Sequence, residues 1–221
     1  MCRETALRAA VADCAAVSVD LFGTLVSVER PDDPAAAVAR ELDARGVSVP
    51  DDWATAYREA HLDVKEGGEL PLADHVAAAL ASRNEPLRRE EIRPTVAEAV
   101  RAAFAVEAEP RPGAERLLEY LTDRRPVGVL SNCAVAGLAE HALDSAGIDR
   151  ERFEAVVTSV DCGWRKPDSH AFTAVADALG VETGELLHIG DDPETDGGIS
   201  EVGGSSWIVG DGPLARGERW G

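Results

Sequence analysis

The fold is decided by the stretch Val17-Ser18-Val19-Asp20-Leu21-Phe22-Gly23-Thr24-Leu25. Residues 16–21 predict a buried strand that runs out into the small-residue turn of Gly23 and Thr24. Asp20 therefore stands at the carboxyl end of a core strand, where a carboxylate does little for stability and where parallel sheets bind their ligands. We take Asp20 as the first candidate for a catalytic residue.

Three later segments place polar residues in a similar way. Two are apolar strands that end in hydroxyl, amide or carboxylate side chains, and one is a lysine at the start of a helix. The segments are residues 127–130 followed by Ser131 and Asn132, Lys166 followed by Pro167, and residues 186–190 followed by Asp191, Asp192 and Asp196. Each signal is weak alone, but four in this order indicate one site at one edge of a sheet.

The order strand-Asp, strand-Ser, Lys and strand-Gly-Asp-Asp resembles the four motifs of the haloacid dehalogenase superfamily. The spacings from Asp20 through Ser131 and Lys166 to Asp191 are 111, 35 and 25 residues, and they suit this family. The resemblance covers nearly the whole chain. It implies a hydrolase whose core carries a helical cap inserted after the first core strand.

Strand and helix alternate along most of the chain, which predicts an α/β fold with a doubly wound parallel sheet, a Rossmann-like core. No strand is predicted between residues 27 and 109. We expect residues 1–28 and 109–221 to form the core and residues 29–108 to form an all-helical cap, with a loose tail from residue 210. The predicted helices cover residues 5–14, 34–45, 51–66, 72–82, 90–106, 114–122, 134–145, 168–179 and 196–202, and the predicted strands cover residues 16–21, 127–130, 153–159, 186–189 and 207–209.

The chain of 221 residues carries 41 acidic and 22 basic side chains, a net charge of −19. Only Lys65 and Lys166 are lysines. An acid excess with arginine in place of lysine is typical of a salt-accumulating halophile. A GC-rich genome is the alternative, and it explains the scarcity of lysine but not the acid excess. Self-repulsion of such a surface is expected to destabilise the fold at low salt.

The same charge argues against a nucleic-acid partner, because phosphate backbones require clustered Lys and Arg. We find no apolar run as long as a membrane span and no signal-peptide pattern, so we expect a cytoplasmic protein without a membrane partner. The four cysteines, Cys2, Cys14, Cys133 and Cys162, form no short-spaced pair, which argues against a zinc site or a redox dithiol. The expected partner is a small anionic substrate, and the sequence leaves the oligomeric state open.

Carboxylates carry the predicted chemistry. Asp20 is the expected nucleophile, which would form an acyl or aspartyl-phosphate intermediate. Asp191 supplies a second carboxylate, and two hard oxygen groups suit Mg²⁺. The resemblance implies that the metal also takes the backbone carbonyl of Phe22, with Asp192 and Asp196 as supporting or alternative ligands. A solvated turn with a helix cap is the plainer interpretation of these acidic residues.

Four further polar residues complete the predicted site. Lys166 is expected to hold the nucleophile and a substrate oxygen as a compact point charge. Ser131 and Asn132 are expected to bind a phosphoryl oxygen, although they can also simply start a helix. Thr24 is expected to brace the loop after the nucleophile. His188 lies inside an apolar strand and is predicted to be a hydrogen-bonded core residue.

Phe22 departs from the phosphatase pattern of the superfamily. Phosphatases carry a second Asp at this position, which protonates the leaving group, and Phe is unable to do so. The 2-haloacid dehalogenases have an aromatic residue here and use no metal, so Phe22 is also a candidate substrate contact. Their pattern is only half met, because Phe172 stands where they have Tyr and Asp191-Asp192 replaces their Ser/Asn-rich fourth motif. We therefore favour a Mg²⁺-dependent phosphatase of a small phosphorylated metabolite. A metal-independent 2-haloacid dehalogenase is the alternative, and a non-catalytic binding or regulatory protein is the third hypothesis.

Overall fold

A five-stranded parallel sheet forms the centre of the computed structural model, which describes residues 3–83, 89–105, 107–210 and 214. The strands stand in the order β5-β4-β1-β6-β7. Their bounds are β1 Ala16–Val19, β4 Val127–Ser131, β5 Ala155–Thr158, β6 Leu186–Gly190 and β7 Ser205–Ile208. The chain moves outward from β1 in both directions, so the doubly wound α/β fold predicted from the sequence is confirmed.

Helices cover both faces of this sheet, as the alternation of apolar strands and helices predicts. They are α1 Arg3–Asp13, α6 Ala114–Thr122, α7 Leu138–Ser145, the short α8 Ser159–Cys162 and α9 Ser169–Leu179. One apolar cluster joins the sheet to α1, α6 and α7 and contains Leu118 and Leu143, both fully buried. Another joins the opposite face to α9 and contains Phe172. The sheet is thus covered by helices on both faces.

The four helices that the structure describes between residues 34 and 104 form a separate layer, to which we refer as the cap. They are α2 Pro34–Asp43, α3 Trp53–Ala56, α4 Leu72–Arg83 and α5 Arg89–Phe104. Their apolar faces enclose a third cluster around Val38, Leu80 and Val96, all fully buried. Cys133 and Val135 of the core belong to the same cluster, so the cap packs directly on the segment that follows β4. The domain boundaries at residues 28–29 and 108–109 stay a prediction.

Several predicted elements were wrong in extent. The helix expected at residues 51–66 covers only Trp53–Ala56, because residues 57–71 follow a turning path that brings Glu69 against the core. Two short antiparallel strands, β2 Val26–Val28 and β3 Ala108–Pro110, form a ribbon where no strand was predicted. Three residues are too few to show a periodic pattern.

Smaller differences lie at element ends. Helix α7 begins four residues later than predicted, after Gly137, whose φ of 77° belongs to the left-handed region. The short helix predicted at residues 196–202 is confirmed, and it is of the 3₁₀ type. Apart from residues 210 and 214, the predicted loose tail lies outside the described residues. In the part of the chain that the structure describes, no helix is long and apolar enough to cross a membrane.

Gly198 provides a sharp test of the packing behind the site. A Cβ atom at this position would lie 2.5 Å from Pro167 Cβ and 2.7 Å from the Pro167 carbonyl oxygen, whereas a Cβ at the neighbouring Gly197 would meet nothing within 4 Å. The 3₁₀ helix at residues 196–202 therefore packs so closely on Pro167, the residue after Lys166, that it leaves no room for a side chain at Gly198.

We predict that Gly198→Ala lowers the free energy of unfolding by about 1–3 kcal/mol, the usual cost of overpacking a core. Gly197→Ala is the matched control, and we expect it to change stability by less than about 1 kcal/mol. Urea unfolding of both variants in the same salt measures the difference. Equal stabilities for the two variants would contradict this packing.

Candidate active site

A cleft of about 470 Å³ lies at the carboxyl edge of the sheet, between the strand ends and the cap. Asp20 follows β1, Ser131 ends β4 and Asp191 follows β6. Because β4 and β6 flank β1, the parallel arrangement brings these three residues to one place. The cleft is lined by all but one of the predicted site residues, namely Asp20, Phe22, Ser131, Asn132, Lys166, Asp191, Asp192 and Asp196.

Lys166 is the centre of the hydrogen-bond network. Its side chain is 2 % exposed, and its ammonium donates to Asp20 Oδ1 at 2.8 Å, to Asp196 Oδ1 at 2.6 Å and to the Leu130 carbonyl at 2.9 Å. An ammonium has three donors, so all of them are engaged within the protein. The two carboxylates compensate the charge of a lysine that is taken out of water.

Asp20 is buried and keeps one oxygen for chemistry. Burial raises the pKa of its carboxyl above the ordinary value, while the charge of Lys166 opposes that rise. Oδ1 accepts the bond from Lys166, and among the described residues Oδ2 accepts none. Oδ2 is therefore the oxygen able to attack a substrate.

Asp196 supports the lysine from the other side. It is almost fully buried, accepts from Lys166 and His188 through Oδ1, and accepts from the Asp192 backbone N–H through Oδ2 at 3.0 Å. Burial opposes its ionisation, but the hydrogen bond from His188 and the charge of Lys166 outweigh it and hold the pKa of Asp196 below its ordinary value. Both oxygens of Asp196 thus accept hydrogen bonds from neighbouring groups, and its expected role as a supporting or alternative metal ligand stays a prediction.

His188 extends this network into the sheet and is a hydrogen-bonded core residue, as predicted. Its Nε2 lies 3.0 Å from Asp196 Oδ1, and its Nδ1 lies 2.8 Å from the hydroxyl of Ser18 on the neighbouring strand. Burial lowers the pKa of His188 to about 4, and the charge of Lys166 acts in the same direction. The neutral ring donates from Nε2 because a carboxylate only accepts, and the Ser18 hydroxyl then donates to Nδ1.

Asn132 has a role that the sequence did not reveal. Its Oδ1 accepts from the Lys166 backbone N–H at 2.8 Å, and its Nδ2 donates to the Lys166 carbonyl at 2.9 Å. The amide thus clamps the backbone of the lysine from both sides. Its predicted contact with a phosphoryl oxygen stays a prediction, as does that of Ser131, which is buried at the cleft wall.

Asp191 lies against the loop that follows the nucleophile. Its Oδ1 accepts a hydrogen bond from Thr24 Oγ1 at 3.1 Å, and a Cβ atom at Gly23 would clash with its carboxylate. Gly23 also has a φ of 93°, so a glycine is required there both for the turn and for the close approach. Thr24 itself is fully buried and lines no part of the cleft, which fits its predicted role as a brace.

The carboxylates of Asp20 and Asp191 suit Mg²⁺ held by only a few protein ligands. Asp191 is exposed, pairs with no cation among the described residues, and raises the pKa of Asp20 by its charge. Asp192 Oδ1 instead accepts from the Glu194 backbone N–H at 2.8 Å, as in the turn considered above. No cluster of three or more His, Cys, Asp or Glu side chains suited to a metal occurs in residues 3–83, 89–105 and 107–210. Mg²⁺ is commonly held by one or two carboxylates and substrate phosphate, so a pair is sufficient.

A family model for haloacid dehalogenase-like hydrolases matches residues 14–198 of the sequence. The chain belongs to this family of hydrolases. Comparison with curated proteins found no match. The haloacid dehalogenase-like fold is also seen in solved structures that share 16–20% sequence identity with the chain.

A 2-haloacid dehalogenase from Pseudomonas syringae pv. Tomato is 20% identical with a TM-score of 0.62, covering 87% of this chain and 85% of that one. A predicted phosphoglycolate phosphatase from Haemophilus somnus is 16% identical with a TM-score of 0.55, covering 92% and 91%. The HAD-hydrolase YfnB from Bacillus subtilis, bound to magnesium, is 16% identical with a TM-score of 0.52, covering 87% of each chain. This haloacid dehalogenase-like hydrolase thus shares its fold with both phosphatases and dehalogenases, and the fold alone does not choose the reaction.

We predict that the hydrolase loses stability as the pH falls from about 6.5 towards 4, because His188 is neutral in the folded state. The depressed pKa means that the unfolded chain binds the proton first, so this contribution is complete above pH 6.5 and is lost on acidification. One such proton changes the free energy of unfolding by at most about 1.4 kcal/mol per pH unit.

Chemical unfolding at several pH values, on the wild type and on His188→Gln, checks the prediction. The variant should show a shallower slope in this window. An unchanged slope in His188→Gln would contradict the assignment.

Proposed function

We propose that the protein is a Mg²⁺-dependent phosphatase that acts on small phosphate monoesters through an aspartyl-phosphate intermediate on Asp20. The observation that carries the proposal is the exposed carboxylate of Asp191 beside the loop of the nucleophile, which pairs with no cation in the ranges that the structure describes. Asp20, Asp191 and Asp196 together carry more negative charge than Lys166 balances, and this excess beside the nucleophile would repel a phosphoryl group unless a bound cation offset it.

Asp20, Asp191 and the backbone carbonyl of Phe22 would hold Mg²⁺. When bound, the ion would shield the charge of the phosphoryl group and help to orient it. Thr24 and Gly23 fix Asp191 against the loop of the nucleophile. Asp192 and Asp196 are engaged in the turn and in the lysine network, so they support this pair from outside.

The covalent step begins at Asp20 Oδ2. This oxygen attacks phosphorus, the bond from phosphorus to the ester oxygen breaks, and the alkoxide leaves with the bonding electron pair and takes up a proton from water or from the substrate. Water then attacks phosphorus, the bond to Asp20 breaks, and inorganic phosphate leaves. Lys166 keeps the nucleophile fixed through Oδ1, and Asn132 keeps the lysine backbone in place.

Phe22 leaves the first step without a protein acid at the position where phosphatases of the family carry one. A missing general acid or base costs on the order of 10²–10⁴ in rate. The proposed enzyme therefore acts best on substrates whose alcohol is a good leaving group. A proton donor supplied by the substrate itself would serve the same end.

The alternative function is a metal-independent 2-haloacid dehalogenase, in which a halide leaves and needs no proton. Phe22 lines the cleft and favours this alternative. Phe172 speaks against it, because the residue in the place of the dehalogenase Tyr is fully buried behind the site and packs edge-on against His188 with ring centroids 5.4 Å apart. The exposed Asp191 also places an extra negative charge where a haloacid would bind.

Hydrolysis of 4-nitrophenyl phosphate and of 2-chloropropionate, each in molar KCl with and without Mg²⁺, tests the choice between these functions. We expect release of phosphate that depends on Mg²⁺ and falls at least about 10³-fold in Asp20→Asn, because the nucleophile is lost. Asp177→Asn removes an exposed carboxylate on α9 and is the matched control, with activity unchanged. Chloride release without metal would overturn the proposal, and silence on both substrates would favour the non-catalytic hypothesis.

A second prediction concerns the missing acid. Phe22→Asp should raise the turnover of an alkyl phosphate, whose leaving group needs a proton, by at least about tenfold relative to that of 4-nitrophenyl phosphate. Phe22→Asn is the matched control, since it has the same size as Asp but cannot transfer the proton. If both variants change the two rates alike, position 22 takes no part in the proton transfer.

A further inference from the structure

The cleft holds two arginines that the reaction above does not use. Arg165 precedes Lys166 in the loop between α8 and α9, and Arg30 lies in the link between β2 and α2. Both line the same cleft as the nucleophile. In a chain with a net charge of −19, two guanidinium groups beside the site need an explanation.

The Arg165 guanidinium is fixed by one ion pair, while much of the side chain is exposed. Its Nη1 donates to Glu69 Oε2 at 2.8 Å, while 46% of its side chain is exposed. A guanidinium has five N–H donors in a fixed fork, and its other nitrogens donate to no described residue. Arg165 therefore presents a positioned cation with unused donors to the cleft.

Glu69 is a buried carboxylate that fixes the position of Arg165. Only 4% of its side chain is exposed, Oε2 also accepts from Ser159 Oγ at 2.5 Å, and Oε1 accepts from the Leu70 backbone N–H at 2.9 Å. The Ser159 oxygen in turn accepts from the Cys133 backbone N–H at 2.8 Å. A buried carboxylate with these partners restricts the guanidinium before any ligand arrives, which lowers the entropy cost of binding.

Arg30 contributes a second cation from another part of the chain. Its side chain is exposed, and it makes no hydrogen bond or ion pair with any residue in the described ranges. Apolar side chains of Val28, Leu72 and Phe104 also line the cleft. The lining of the cleft thus combines the catalytic residues, several apolar side chains and two arginines.

Lys166 is not available to bind a second anionic group of the substrate. Its three donors are engaged by Asp20, Asp196 and the Leu130 carbonyl, so it has no hydrogen left for a distant part of the substrate. Mg²⁺ at Asp20 and Asp191 would serve the transferred phosphoryl group. Any other anionic group of the substrate must therefore find its partner at the arginines.

We propose that Arg165 and Arg30 form a second anion-binding subsite, and that the substrate is a small phosphate monoester with a second anionic group on a short carbon chain. The inference rests on the proposed phosphatase function and names its substrate class. The planar fork of a guanidinium matches the oxygens of either a carboxylate or a phosphate. The volume of about 470 Å³ restricts the whole ligand to a small molecule.

Three matched substrates test the subsite. Phosphoglycolate carries a carboxylate, ethylene glycol bisphosphate carries a second phosphate, and 2-hydroxyethyl phosphate carries neither. We expect kcat/KM of the wild type with Mg²⁺ to favour one of the two anionic substrates over 2-hydroxyethyl phosphate by at least about tenfold, the size of a charged hydrogen bond. The larger of the two rates identifies the second group as carboxylate or phosphate.

Arg165→Gln and Arg30→Gln should each reduce that preference, mainly through KM, because the lost contact is made equally in the ground state and the transition state. Arg150→Gln is the matched control, since Arg150 pairs with Asp144 and lies outside the cleft. It should keep the wild-type preference.

The possible outcomes distinguish failure of the subsite proposal from failure of the phosphatase proposal. If the wild type turns over all three substrates equally, the phosphatase stands and the subsite is wrong. If Arg165→Gln lowers the three rates by one common factor, the arginine only positions Lys166, and the subsite is again wrong. If no phosphate ester reacts, the proposed function fails, and calorimetric titration with phosphoglycolate and 2-hydroxyethyl phosphate decides the subsite, since equal affinities would exclude it.

Discussion

The buried ammonium of Lys166 is the interaction on which the rest of the site depends. It contacts Asp20 after β1, the Leu130 carbonyl on β4 and Asp196 after β6, so one cation joins the ends of three neighbouring strands. Removing one partner from such a buried group costs about 3–5 kcal/mol, because the remaining charge is left uncompensated. The geometry of the nucleophile and the integrity of the sheet edge are therefore set by the same contacts.

Charge balance explains why the network reaches so deeply into the sheet. Asp20 and Asp196 together exceed the single charge of Lys166, and Asp191 and Asp192 add to the negative side. His188 stays neutral and donates a hydrogen bond to Asp196, which stabilises that carboxylate without adding a charge. The excess negative charge is left near the cleft, where a metal ion and the arginines can meet an anionic substrate.

Sequence patterns located the strand ends well because a parallel sheet turns sequence order into position. Residues that end β1, β4 and β6 must meet at one edge once the strands pair, so Asp20, Ser131 and Asp191 could be found without coordinates. Glu69 could not, because its burial depends on contacts with Ser159 and Arg165, about 90 residues away. The ribbon of β2 and β3 and the turning path of residues 57–71 were missed for the same reason, since long-range contacts rather than local periodicity form them.

The segment around Glu69 also has a mechanical consequence. The Glu69 backbone N–H donates to the Gly163 carbonyl at 3.0 Å, and the Arg165 backbone N–H donates to the Gly67 carbonyl at 2.9 Å. These two bonds join this part of the cap to the loop of the catalytic lysine as a short antiparallel bridge. Any motion that lifts residues 67–69 from the core must either break both bonds and the ion pair or pull residue 165 along. The point where the cap is tied to the core is thus one peptide unit from Lys166, and displacement of the cap there cannot leave the lysine undisturbed unless the tie is broken.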